Sequence, residues 1–269
     1  MPLDDRSHGV SGPRIEESWA RTTFPTASSV STVEFSPGFP TRARTVESHR
    51  LSRSVEDYLK AVFNLTRGGE AASTSALAEQ LAVQPASVTG MVKRLAEQNL
   101  LAHIPYRGVQ LTEQGSREAL RVIRRHRILE TYLTEALGYA WEEVHEEAER
   151  LEHTASDRLI EAMAEALGDP SHDPHGAPIP TVSGEMADRS LDTLADAPLD
   201  RRRVIQAVRD EEADVLRAIE AEGLVPGVEV RVLTRDMDGS LTVRVGGAQG
   251  EARPIATELA TRIYVQPVS

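Results

Sequence analysis

The sequence predicts a mainly α-helical protein with small β parts, in which a winged helix-turn-helix domain is followed by a helical domain and a small β-barrel. Three observations support this fold class. Two short helices precede a hairpin pattern, long segments with apolar residues three and four apart fill the middle of the chain, and short β-prone stretches follow residue 201. The predicted parts are a disordered leader (1–48), the winged helix-turn-helix domain (49–115), the helical domain (116–182), a linker (183–200) and the β-barrel (201–269).

The composition of the chain excludes several classes of protein. Its 269 residues allow two or three domains, and a net charge of −12 is unlike that of a nonspecific nucleic-acid binder. The absence of cysteine excludes disulfides, thiolate zinc sites and thiol redox sensing. The sequence has no apolar run of membrane-spanning length and no signal-peptide segment, so we expect a cytoplasmic protein without a membrane partner. The leader is rich in Ser, Thr, Pro and Arg without periodicity, and we assign it no function.

Three helices open the folded part of the chain. Ser54 can cap the first helix, with Asp57 three residues later completing a capping box. The second helix covers residues 75–81, and the third starts at Pro85, where proline fits the first turn. The third helix has a small, polar and basic outer face, which predicts a recognition helix that contacts DNA bases and phosphates. The candidate DNA-binding side chains at this helix are Gln84, Ser87, Thr89, Lys93 and Arg94.

A hairpin that follows the third helix is the predicted wing. Two β-prone stretches, 101–104 and 109–111, are joined by a turn with Arg107 at its tip, where it can contact phosphate or the minor groove. Residues 51–115 contain six basic and six acidic side chains, so the domain is only modestly basic. A winged helix that contacts protein instead of DNA is therefore an alternative.

Two long helices are predicted after the wing. Thr112 caps the first, which ends at Gly138, and residues 139–167 read as a second, unbroken helix. The turn-rich connection that follows contains His172 and His175, which we predict to be hydrogen-bonding surface residues.

The C-terminal part has the pattern of a small β-barrel of about 70 residues, near the lower size limit for a domain with its own core. Short β-prone stretches surround a helix at 211–222 and a Pro226-Gly227 turn. The stretches are 204–208, 228–233, 241–245 and 263–265.

Histidine and glutamate side chains are concentrated on one face of the second long helix. At 100° per residue, four of them fall within an arc of about 100° beside an apolar stripe. They are His145, Glu149, Glu152 and His153. His126 and Glu130, four residues apart on the preceding helix, offer the same donor types. Donors of this kind without sulfur suit Mn²⁺, Fe²⁺, Co²⁺ or Zn²⁺, and the many oxygen donors favour manganese. A solvated acidic helix face without metal is the alternative.

Several short motifs occur in a specific order between Ser54 and Val265. They are Ser54-Val55-Glu56-Asp57-Tyr58, Leu81 to Thr89 with Met91-Val92, Tyr106-Arg107-Gly108, Arg125-His126-Arg127, Glu149-Arg150-Leu151-Glu152-His153, and Asp173-Pro174-His175-Gly176 with Pro178-Ile179-Pro180. In this order they resemble the diphtheria-toxin-repressor family of metal-dependent transcriptional regulators, and the first two domains look closest to the manganese regulators. The resemblance implies an SH3-like (FeoA-type) C-terminal domain and a helical domain that forms dimers. Ala86, within the second motif, is also among the candidate DNA contacts.

The resemblance implies two metal sites. The first would use Asp57, Glu149, Glu152 and His153. The second would use His126, Glu130 and His145, with Glu212 of the C-terminal domain as a candidate fourth ligand. Iron-responsive members have methionine and cysteine where Asp57 and Glu149 stand, so the chain matches the manganese pattern. It departs from the family at Lys60, in the place of an acidic ligand of two-domain manganese regulators, and at Val215, in the place of a glutamine ligand of three-domain members.

The function that the resemblance implies is metal-dependent repression of metal-uptake genes. The expected partners are double-stranded operator DNA and a second copy of the chain, and the expected cofactor is Mn²⁺, with Fe²⁺ as the alternative and Co²⁺ or Zn²⁺ as substitutes in vitro. The metal would fix the DNA-binding heads of the dimer, and without it the carboxylates should repel one another and leave the heads mobile. No enzymatic activity and no small organic substrate are expected.

Two alternatives come from other functional classes. One is a metalloenzyme in which two helices supply Glu and His to a dinuclear centre. The other is a winged-helix regulator that senses an organic ligand, with the acidic helix inert.

Overall fold

The computed structural model of the chain describes residues 51–187, 191–209 and 212–268. The predicted leader (1–48) lies outside the described residues. The fold is mainly helical, with a two-stranded hairpin and a six-stranded antiparallel sheet, as the sequence predicts. No helix within the described ranges has both the length and the apolar character needed to cross a membrane.

Three helices and a hairpin form the winged helix-turn-helix domain. They are α1 (Arg53–Thr66), α2 (Thr74–Gln80), α3 (Pro85–Glu97), β1 (Leu101–Ile104) and β2 (Gly108–Leu111). The predicted capping box at the start of α1 is wrong. Ser52 is the N-cap residue, and Ser54 lies inside the first turn, so Ser54 and Asp57 do not cap the helix. The carboxylate of Asp57 is therefore left for other contacts.

The core of this domain follows the apolar periodicity of α3. Val88, Val92 and Leu95 are buried, and Met91 packs against them from a partly buried position. Pro85 stands at the first turn of α3, as predicted. Because one face of α3 is fixed in the core, its polar face is turned to solvent.

The helical domain contains three helices instead of the predicted two. The first, α4 (Glu113–Leu137), begins at Thr112, whose hydroxyl accepts a hydrogen bond from a backbone N–H, and ends at Gly138 with φ of 73°, both as predicted. The predicted unbroken helix over 139–167 is wrong. The chain forms α5 (Val144–Leu151) and α6 (Asp157–Ala166), and Ser156 caps the start of α6 through its side chain. A serine that satisfies the free N–H groups of a new helix favours an interruption at this point.

The start of α4 packs directly against the end of the wing domain. A Cβ atom added at Gly115 would lie 1.9 Å from the carbonyl oxygen of Leu100, so only glycine fits there. The backbone N–H of Thr112 donates to the same carbonyl oxygen at 3.1 Å. These contacts join the winged domain and the long helix without space between them.

The C-terminal domain is a six-stranded antiparallel sheet with two helices. Its strand order is β3-β8-β4-β5-β6-β7. The elements are β3 (Asp192–Thr193), β4 (Arg202–Val208), α7 (Ala213–Ala221), β5 (Glu229–Arg235), β6 (Leu241–Val245), β7 (Glu251–Ile255), α8 (Thr257–Ala260) and β8 (Ile263–Pro267). The domain begins inside the segment predicted as linker (183–200), because β3 pairs with β8 and Leu194 and Ala197 are buried in its core.

Candidate metal centre and DNA-contact surface

Four predicted metal ligands come together between α1 and the end of α5. Their ligand atoms all lie within 4.8 Å of one another. They belong to Asp57, Glu149, Glu152 and His153. Asp57 comes from α1 of the winged domain, whereas the other three come from the last turn of α5 and the residues after it. The cluster therefore joins two domains through side chains that are about 90 positions apart in the sequence.

The ring of His153 is oriented by Glu56, a residue that the sequence analysis did not select. Nδ1 of His153 lies 2.6 Å from Oε2 of Glu56, and the other carboxylate oxygen accepts a hydrogen bond of 2.5 Å from Arg125. All three side chains are nearly inaccessible to solvent. Assigning the Nδ1 proton to the bond with Glu56 leaves the lone pair of Nε2 facing the cluster. This carboxylate–histidine pairing is the usual support of a metal-bound imidazole.

The environment of the second ring nitrogen of His153, Nε2, indicates whether the cluster suits a cation. Nε2 is buried, lies 2.9 Å from Oδ1 of Asp57 and 3.3 Å from Oε1 of Glu152, and yet has no aligned hydrogen-bond partner among the described residues. The short distance to Asp57 does not represent a hydrogen bond, because in this tautomer Nε2 carries no proton and the carboxylate oxygen has none to donate. A buried nitrogen lone pair that converges with carboxylates is costly in itself but suits a divalent metal ion.

Lys60, which the sequence analysis noted only as a departure from the family, lies among these carboxylates. Its ammonium group contacts Oε1 of Glu149 and lies 3.1 and 3.2 Å from the two oxygens of Glu152. Burial lowers the pKa of Lys60, but the carboxylates of Glu152 and Glu149 outweigh burial and the net shift is upward. The carboxylates of this cluster therefore face an ammonium group as well as one another.

His126 connects this cluster to a second group of donors. Its Nδ1 lies 2.6 Å from Oε2 of Glu152, and its Nε2 lies 2.9 Å from Oε1 of Glu130 and 3.1 Å from Nδ1 of His145. Burial alone would lower the pKa of His126, but the Glu130 and Glu152 carboxylates raise it to about 9. The predicted second-site residues His126, Glu130 and His145 are thus brought together.

Glu130 also faces a buried aspartate and histidine from the loop after α6. The ligand atoms of Glu130, Asp173 and His175 lie within 4.8 Å of one another. The prediction that His175 is a surface residue is wrong. Its side chain is buried and stacks on Trp141 with ring centroids 5.3 Å apart. The loop folds inward because the Asp173 carboxylate accepts the backbone N–H groups of His175 and Ala177.

Glu212, the candidate fourth ligand of the second site, does not join either cluster. It is exposed at the start of α7, and the groups of metal-ligating atoms found in the described residues do not include it. In the sequence, the Asp173-Pro174-His175 motif could have indicated a ligand source in place of Glu212, because it supplies a carboxylate and an imidazole two residues apart.

The predicted DNA-contact residues share one property: all are exposed. They are Gln84, Ala86, Ser87, Thr89, Lys93 and Arg94 at α3, and Arg107 at the wing tip. Next to Arg107, Tyr106 is fully exposed in a left-handed conformation with φ of 65°. The outer face of α3 and the wing therefore present polar and basic groups to solvent, as DNA recognition by a winged helix requires.

Three family models match successive parts of the chain. The iron-dependent repressor N-terminal DNA-binding domain matches residues 50–109. The iron-dependent repressor metal-binding and dimerisation domain matches residues 112–181, and the FeoA domain matches residues 193–267.

Individual proteins are similar over long stretches. The iron-dependent repressor IdeR of Mycobacterium tuberculosis is 29% identical over 233 residues, which are 82% of this chain and 100% of that protein. An uncharacterized HTH-type transcriptional regulator of Methanocaldococcus jannaschii is 34% identical over 114 residues, which are 42% of this chain and 91% of that protein. A solved manganese-dependent transcriptional repressor in complex with manganese is 34% identical with a TM-score of 0.73, and the match covers 80% of this chain and 100% of that one. Together with the three matched domains, these similarities show that the chain belongs to the diphtheria-toxin-repressor family of metal-dependent, DNA-binding transcriptional repressors.

Proposed function

We propose that the chain is a manganese-responsive repressor whose first metal site consists of Asp57, Glu149, Glu152 and His153. The observation that carries this proposal is the convergence of ligand atoms from α1 and α5 within 4.8 Å, which connects the DNA-binding domain to the helical domain. The donors are three carboxylates and one imidazole without sulfur, a set that favours a harder ion such as Mn²⁺, with Fe²⁺ as the second candidate. The similarity to a manganese-dependent repressor agrees with this choice.

The proposed switch acts through the distance between two recognition helices. A bound divalent ion would supply positive charge to the carboxylate cluster. Asp57 would then hold α1 against Glu149, Glu152 and His153, and so fix the orientation of α3. In a two-fold dimer this orientation sets the separation of the two α3 helices, which must match half-sites about one helical turn, roughly 34–36 Å, apart or a multiple of it.

We propose that the dimer forms through the helical domain. This domain exposes apolar side chains around the ends of its helices, at Leu137, Tyr139 and Leu159. The matched family model is that of a metal-binding and dimerisation domain.

We further propose a second cation site centred on Glu130. Its carboxylate faces His126 and His145 on one side, and Asp173 and His175 come within 4.8 Å as a separate group. Burial, and then the neighbouring Glu130, raise the pKa of Asp173 to about 6. A divalent cation would favour the ionised form of both carboxylates.

Contacts to operator DNA are proposed for the exposed face of α3 and the wing. Gln84, Ala86, Ser87 and Thr89 are assigned to base edges, and Lys93, Arg94 and Arg107 to phosphates. Acting on chromosomal DNA, the protein would work in the cytoplasm.

The decisive experiment measures DNA binding with and without metal. Fluorescence anisotropy of DNA from upstream of the chain's own gene and of neighbouring transporter genes should show affinity that rises about a hundredfold when Mn²⁺ is added at about 100 times its Kd. Anaerobic Fe²⁺ is the comparison metal, and scrambled DNA is the control. Specific binding that ignores both metals would favour a sensor of an organic ligand, and the absence of specific DNA binding would favour the metalloenzyme.

Replacement of Glu56 by glutamine tests the support of His153. The glutamine would keep the size of the side chain but lose the charge that pairs with Arg125 and holds the proton on Nδ1 of His153. We expect Mn²⁺ affinity to fall about 10- to 100-fold, which is the usual cost of losing such a supporting group. Isothermal titration calorimetry measures the change, with Glu79→Gln on an exposed position of α2 as control. Equal affinities of the two variants would contradict the assigned role of Glu56.

A further inference from the structure

The ammonium group of Lys60 lies among side-chain atoms of the kinds that bind metal ions. Its ammonium nitrogen contacts Oε1 of Glu149, lies 3.1 and 3.2 Å from Oε1 and Oε2 of Glu152, and lies 3.5 Å from Nδ1 of His126. Only 17% of its side chain is exposed. Three carboxylate oxygens therefore surround a position that a positively charged nitrogen already occupies, and the His126 ring lies beside it.

The position filled by Lys60 adjoins the proposed first metal site. Glu149 and Glu152 face Asp57 and His153 on one side, and Lys60 and His126 on the other. Carboxylates shared by two neighbouring cation positions are typical of two-metal centres, in which the ions lie about 3.5–4 Å apart. The described geometry thus contains the donors for two adjacent cations, one of which belongs to the protein itself.

We propose that Lys60 is a resident cation that fills the second of these positions, so that the Glu149–Glu152 pair binds a single divalent ion. This inference rests on the proposed metal site. An ammonium group has three donors and no lone pair, so Lys60 cannot bind a metal ion and acts by occupying space and supplying charge.

Electrostatics explains why a second divalent ion is excluded. Lys60 is attached to α1 and is held by two carboxylates, so a metal ion at this point would have to displace it while its charge stays nearby. Like charges a few ångströms apart in a poorly solvated site repel strongly. The buried carboxylate of Glu152 also needs partners when no metal is bound, and Lys60 at 3.1 Å is one of them, beside His126 at 2.6 Å.

The substitution Lys60→Glu tests this inference. It replaces the resident cation with a carboxylate donor on the same face of α1. Equilibrium dialysis with metal analysis should show one additional Mn²⁺ per subunit, and the electron paramagnetic resonance spectrum should show exchange coupling between two ions about 3.5–4 Å apart. Arg117→Glu is the matched control, because it makes the same change in charge on α4 at a side chain that is 63% exposed. It should keep the wild-type stoichiometry and an uncoupled spectrum.

Lys60→Gln is the second variant, since it is neutral and introduces less repulsion if Lys60→Glu fails to fold. It should also show coupled Mn²⁺ ions, at metal concentrations at which the wild-type spectrum is uncoupled. Wild-type stoichiometry and an uncoupled spectrum in folded variants would overturn the inference. A coupled pair in the wild-type chain would overturn it as well. A wild-type chain that binds no Mn²⁺ would instead overturn the proposed function, on which the inference depends.

Discussion

Replacing Glu149 and Glu152 together by glutamine will abolish the response of DNA affinity to manganese. Glu152 is fully buried between Lys60 and His126, and Glu149 contacts Lys60 from the same helix. Without the two charges, Asp57 and His153 cannot hold a divalent ion alone, so the metal-mediated link between α1 and the end of α5 is lost. If metal binds only the DNA-competent state, the lost stabilisation is about 2.7 kcal/mol at 100 times Kd, which corresponds to about a hundredfold in affinity.

The matched control for this variant replaces Glu146 and Glu147 on the same helix by glutamine. These two side chains pair with Arg150 at the surface and are 80% and 34% exposed. Anisotropy titrations with and without Mn²⁺ should show a full response in the control and none in the site variant, with circular dichroism and size-exclusion chromatography used to confirm folding. A site variant that is folded and still responds to Mn²⁺ would refute the assigned ligands.

Replacing Lys93 and Arg94 together by alanine will weaken operator binding while metal affinity stays at the wild-type value. Both side chains are exposed on α3, away from the metal cluster. If each side chain contacts a phosphate, the slope of log affinity against log salt concentration should become less steep by about two, because each contact contributes about 0.9. At 0.15 M salt we expect a loss of DNA affinity of about 10- to 100-fold, measured by anisotropy across a salt series.

The control for the α3 variant removes two positive charges elsewhere. Arg117→Ala with Arg150→Ala changes the net charge equally at side chains that are 63% and 67% exposed. Its salt slope should equal that of the wild type. If the Lys93 and Arg94 variant lost Mn²⁺ affinity while keeping its DNA affinity, the roles assigned to the two surfaces would be wrong.

Local signals explain which parts of the fold could be predicted from the sequence. Helix ends are set by such signals at Pro85, which starts α3, at Thr112, which precedes α4, and at Gly138, which follows it. Each residue acts on the backbone of its own turn, so these helix ends can be predicted without tertiary structure. The interruption between α5 and α6 was missed because the apolar periodicity continues through it. Ser156 was the available signal, since its side chain caps the new helix.

The missed parts of the site depend on contacts between distant segments. Glu56 supports His153 across 97 positions in the sequence, and His175 becomes buried because its loop packs under Trp141. The turn-rich sequence around His175 is compatible with either an exposed or a buried side chain. Local sequence alone therefore cannot predict its burial. Glu149, Glu152 and His153 could be predicted as candidate ligands because they share one predicted helical face with His145. Asp57, and the division of these donors into two sites, came only from the family resemblance.

The glycine contact between α4 and the wing domain turns the long helix into a lever arm. Gly115 holds one end against Leu100, and His126 stands about 16 Å farther along the axis at 1.5 Å per residue. A tilt of about 10° around His126 would therefore carry the wing end through about 3 Å, and the recognition helix beyond it through more. Under the proposed switch, small adjustments among the metal ligands would therefore be magnified into a mismatch with the groove spacing of DNA. A side chain at position 115 would loosen this transmission without touching either proposed site.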